Sequence, residues 1–75
     1  MPSLPAVCGL EAVAAFKAAG FEEARTRGSH VILVKPGHRY HLSVPCHGRQ
    51  TMKPGTLRSL VRDAGLTVEQ FIELL

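Results

Sequence analysis

The chain has 75 residues, is 45% hydrophobic, and carries a formal net charge of +3. This length fits one domain that buries only about 60% of its unfolded-state surface, and the apolar content is too high for a disordered chain. No apolar run approaches the ~20 residues of a membrane span, and the start, MPSLPAVCGLEAV, lacks the basic and long apolar regions of a secretory signal, so a cytoplasmic chain is expected.

Residues 1–7, with Pro2 and Pro5, read as a loose lead-in to a domain spanning 1–75. The Ala-rich stretch at 8–19 predicts a helix with Ala12, Val13 and Phe16 on one stripe, and Gly20 sits where a left-handed residue ends it. Residues 21–27 read as a strand, Gly28-Ser29 as a turn, and 30–35 as a second strand, β-branched and apolar. Pro36-Gly37 signals another turn. Residues 39–45 then alternate with period two, Tyr40, Leu42 and Val44 against His41 and Ser43.

A four-residue loop at 36–39 sets the hairpin register: Lys35 opposite Tyr40, Leu33 opposite Leu42, Val31 opposite Val44. Cross-strand partners share a face, so Val31, Leu33, Leu42 and Val44 point inward. His30, Ile32, Val34, His41 and Ser43 point outward. Residues 46–53 form a loop. Pro54 suits the first turn of a helix, Leu57, Leu60, Val61 and Ala64 recur at helical spacing, and Gly65 closes it. Thr67 and Gln70 have capping-box spacing and Leu66 and Phe71 staple spacing, which predicts a short last helix. The order α-β-β-β-α-α is that of a small α+β domain, a three-stranded antiparallel sheet with helices on one face.

Charge is segregated. No acid occurs between Ala24 and Arg62, a stretch holding eight of the nine basic residues and all four histidines. Such a field suits a polyanion such as nucleic acid, the plain alternative being a solvated basic face. Cys8 and Cys46 are expected to be reduced and structural.

His30 follows a glycine turn at a strand end on the uncovered face. Imidazole accepts or returns a proton near neutral pH, and RNA offers one on the 2′-hydroxyl beside each phosphate. Without that proton the oxygen can attack phosphorus, and no metal is required. The plain reading is an ordinary surface histidine. His47 follows the third strand, and the register brings Pro45 opposite His30, so the two rings can approach. His41 lies about 13 Å along the strand, too far to share one phosphate. It and His38 read as surface hairpin histidines. No C-x-x-C is present, and the hairpin does not converge four ligands from His38, His41, Cys46 and His47, so no metal site is expected.

MKPGTL at 52–57 is an anion candidate. A helix N-terminus supplies free N–H groups, Lys53 adds charge, Gly55 lets a phosphate approach, and Arg49 precedes it. Ile32 and Val34 would make an apolar patch on the open face, covered by a partner, by the last helix or by a second copy.

AGF, RGSHV, VPCHG and KPGTLRSLVRDAGLTVEQFIELL, taken together from about Val7 to Leu75, resemble the HicA-like mRNA-interferase toxins. The resemblance implies a fold like the double-stranded-RNA-binding domain. It also implies a ribonuclease that cuts mRNA without a cofactor and is neutralised by a HicB-like antitoxin. The family's catalytic histidine falls on His30; the second histidine that many members carry directly after it is Val31 here. On this reading His30 is the general base, and Ser29 with nearby N–H groups holds the phosphate. Arg27, Arg49 and Lys53 anchor the RNA, and the leaving oxygen is protonated by His47 or by water. Ile32 and Val34 would meet the antitoxin. The rival reading is an RNA-binding module of the same fold that does not cut.

Overall fold

The computed structural model describes residues 3–75. Its elements are α1 (Gly9–Ala18), β1 (Glu22–Arg27), β2 (His30–Val34), β3 (Leu42–Pro45), α2 (Pro54–Asp63) and α3 (Val68–Leu74). The strands form one antiparallel sheet in the order β1-β2-β3. The result is the expected α+β arrangement. Among the described residues no helix is long and apolar enough to cross a membrane.

The first two helices end for the same reason. After α1, Gly20 adopts φ 105°, Phe21 N–H donates to Phe16 O (3.1 Å) and Gly20 N–H to Lys17 O (2.9 Å). After α2, Gly65 adopts φ 78°, and Leu66 and Gly65 donate to Val61 O and Arg62 O in the same pattern. Only glycine takes this left-handed position at no steric cost, and each closure turns an apolar residue back onto the helix. Phe21 thereby becomes a core residue preceding β1 rather than part of it. At the start of α3, the Thr67 hydroxyl accepts from Gln70 N–H (3.1 Å) and the Gln70 amide oxygen from Thr67 N–H (2.9 Å), the expected reciprocal cap.

The predicted register holds where both strands are buried. Leu33 pairs with Leu42 and Val31 with Val44. Leu33, Leu42 and Val44 are fully covered, Val31 is half-buried, and Phe16 and Phe71 complete the centre with rings 5.3 Å apart. Burial of such side chains is the main stabilising term in a domain this small.

Lys35 and Tyr40 do not pair, because β3 begins at Leu42 instead of residue 39. Two anchors pull this part of the chain from the ladder. Lys35 Nζ donates to Ala19 O at the C-terminus of α1 (3.0 Å) and lies 5.5 Å from the centre of the Phe21 ring. His38 is half-buried, not a free surface histidine: Nε2–H donates to Asp63 O (2.6 Å) and the ring stands edge-on to Phe21 at 5.2 Å. Both side chains find a carbonyl at a helix end, where donors are favoured.

The lead-in is not loose over its described part; Met1 and Pro2 lie outside the described residues. Val7 is buried, Leu4 packs on the core, and Val7 O accepts from Met52 N–H (2.9 Å). Cys8 forms a bridge with Thr51. Leu4 and Val7 have apolar surface to hide, and the segment before α2 supplies both a wall and a backbone partner.

Cys8 caps α1, its N–H donating to Glu11 Oε1 (2.9 Å), which holds that carboxyl below its ordinary range. Gly9 packs so closely on β3's end that a Cβ there would overlap Pro45 O and stand 2.8 Å from Cys46 Sγ. Gly9→Ala is expected to cost about 1–3 kcal/mol, because backbone must move to admit the methyl. A thermal melt would show a drop of about 4–8 °C per kcal/mol; an unchanged midpoint would mean that α1 and β3 are not in such contact.

Candidate functional site

Gly28, with φ 59°, and Ser29 close a two-residue turn that pairs Arg27 with His30. His30 therefore stands at the first position of β2, exposed, with Pro45 opposite. The pleat places Ser43 diagonally across on the same face, and His30 Nδ1 lies 2.9 Å from Ser43 Oγ. This bond permits the tautomer in which Nδ1–H donates to the hydroxyl and Nε2 keeps its lone pair. Nε2 has no hydrogen-bond partner among the described residues.

His47 reaches the same corner from the loop after β3. Its Nε2 lies 3.5 Å from Ser29 Oγ, at the long end of hydrogen bonding. Ser29 O accepts from Cys46 N–H at 2.7 Å, which carries the β2–β3 pairing one step further and holds the loop against the turn. His30 and His47 thus flank Ser29, whose hydroxyl faces His47. Arg27 is exposed beside them, across the turn from His30.

The rest of the candidate set divides. Lys53, the N-cap of α2, lines an open groove of about 330 Å³ with His47, Pro45, Gln50, Thr51, Met52 and Thr56. The first turn of α2 carries no acid, and Gly55 faces open space, so a Cβ there would meet nothing within 4 Å. Packing does not demand glycine at 55. Arg49 lines a different groove, beside Cys8, Leu10 and Glu11, and does not join His47 and Lys53 there. Ile32 and Val34 are half-buried in β2, and His41 is exposed just before β3.

Ser43, Gln50 and Thr56 were not singled out from the sequence. Only Ser43 had a signal there, the alternation that put it on the face of His30. Cys46 is half-buried with its sulfur against Gly9; burial first, then the neighbouring Cys8 and Glu23, pushes its thiol above the ordinary range. A thiol held protonated is a poor nucleophile and metal ligand. Among the described residues no three His, Cys, Asp or Glu side chains gather to hold a metal ion.

No curated protein matches the chain. A family model, described as the HicA toxin of bacterial toxin-antitoxin, matches residues 9–66, from the start of α1 to the closure of α2. That span takes in the β2 histidine, the loop histidine and the cationic start of α2, and by this match the chain belongs to the HicA toxin family of bacterial toxin–antitoxin systems.

Proposed function

We propose that the chain is an endoribonuclease that cuts mRNA in the cytoplasm and that a HicB-like antitoxin neutralises it. The observation that carries this reading is His30, exposed at the sheet corner with Nδ1 on Ser43 Oγ. Nε2 takes the 2′-hydroxyl proton, the freed oxygen attacks the adjacent phosphorus, and the 5′-oxygen leaves with a proton from His47 or from water. The products are a 2′,3′-cyclic phosphate and a 5′-hydroxyl, and no metal takes part. Ser29, its N–H neighbours and Gly55 leave room for phosphate, while Arg27 and Lys53 offset charge as it grows on the transition state. Arg49 engages RNA further from the cut, because it lines a separate groove.

End-labelled RNA incubated with the purified chain and a chelator tests this reading. Fragments ending in cyclic phosphate support it. Retarded but intact RNA would point to the RNA-binding module instead, and RNA that is neither cut nor retarded at low salt would exclude both.

The antitoxin covers Ile32, Val34 and the basic corner around His30. Both side chains are half-buried on β2, Ile32 next to that corner and Val34 further along the same strand. Replacing both with Asp is expected to weaken the complex at least about tenfold, since each desolvated interface anchor contributes on the order of 1–2 kcal/mol or more. Isothermal titration with the antitoxin would measure this, and undiminished affinity would place the interface elsewhere.

A further inference from the structure

The groove beside His47 has more structure than a lysine anchor needs. Its base is apolar, with Met52 buried and Pro45 half-buried, while Gln50, Thr51 and Thr56 offer an amide and two hydroxyls. None of those three side chains is hydrogen-bonded within the described residues; Thr51 is held through its backbone bridge to Cys8. No acid lines the groove, so a polyanionic strand meets no repulsion there. Its volume of about 330 Å³ lies within the ~300–1,000 Å³ of small-ligand sites.

The walls are held in place. Gly48, with φ 59°, turns the loop so that Gln50 N–H donates to His47 O at 3.0 Å. The loop's far end is fixed by the Cys8–Thr51 bridge and by Met52 N–H on Val7 O. Thr56 belongs to the first turn of α2. The groove also adjoins the histidine corner, because Pro45 is the ladder partner of His30 and His47 reaches Ser29.

We propose that this groove is a nucleobase subsite, which takes an unpaired base of the RNA nucleotide next to the bond that is cut, with Gln50 as its specificity-determining residue. An unstacked base needs a flat apolar contact and partners for its polar edge. Met52 and Pro45 supply the first. The Gln50 amide presents one acceptor and two donors, enough to pair with an adjacent donor and acceptor on a base edge. Lys53 at the rim takes the neighbouring phosphate. The inference rests on the ribonuclease reading for its place next to the cut.

The test uses the wild-type chain and Gln50→Ala on a randomised RNA pool, with the new 5′ ends sequenced. Wild-type cuts should favour one base at a fixed position beside the cut. Gln50→Ala should flatten that preference about tenfold or more, the size of one bidentate pair. An identical preference in the variant, or none in the wild type, overturns the subsite. If the wild-type chain cuts nothing, the ribonuclease reading fails, and NMR titration with the four ribonucleoside 5′-monophosphates still decides the groove. Shifts at the Gln50, Thr51 and Thr56 amides that shrink in Gln50→Ala support base binding; their absence in the wild type overturns it.

Discussion

On the proposed ribonuclease reading, His30→Ala is expected to lower the single-turnover rate of RNA cleavage by about 10²–10⁴-fold, the range that a positioned general base contributes. The same variant keeps its stability within about 0.5 kcal/mol, because the ring is exposed and its one hydrogen bond joins two exposed side chains. It is also expected to keep RNA affinity, since on this reading the basic side chains, and not the imidazole, carry binding. Three measurements check this: cleavage of labelled RNA, a urea melt, and a retardation assay at fixed salt. Loss of all three together would mean that His30 holds the fold. Full cleavage by the variant, or undiminished toxicity in growing cells, would remove His30 from the chemistry.

The second large effect is structural. Phe16→Ala is expected to cost about 3–5 kcal/mol, the loss for a buried aromatic whose cavity refills only in part. Phe16 has no solvent exposure, and its ring meets Phe21 at 6.2 Å and Phe71 at 5.3 Å, so it joins α1, the entry to β1 and α3. Domains of this kind are stable by about 5–15 kcal/mol, and a 75-residue chain sits at the lower end. The thermal midpoint should therefore fall by more than about 12 °C. A loss under about 1 kcal/mol would show that these rings are not packed as described. Because the histidine corner lies on the far face of the sheet, the remaining folded fraction should, on the proposed reading, cut RNA at the wild-type rate per folded molecule.

The sheet was legible in the sequence because its signals are local and periodic. Alternation in β3 and the β-branched run in β2 allow one register that hides Leu33, Leu42 and Val44 together, and the structure has that register. The same register placed Pro45 opposite His30, and His47, two residues on, lies beside Ser29, the residue before His30. What escaped has no period. Lys35 and His38 bond to carbonyls at helix ends 16 and 25 residues away, contacts that exist only once the helices have docked. Val7 is core because Met52 waits for it, which nothing near Val7 announces. Arg49 and Lys53 are four positions apart, yet they line different grooves. The groove beside His47 combines a loop amide, Gln50, with a helix hydroxyl, Thr56, and neither is distinctive alone.

The His38 bond to the last turn of α2 has a bearing on how the molecule breathes. The tip of the β2–β3 hairpin cannot lift without uncovering the Asp63 carbonyl and the edge of Phe21. Fraying of that helix end in turn strands the imidazole. The two segments are therefore expected to open as one cooperative unit, with amide protons that exchange with solvent at matching rates despite their separation along the chain.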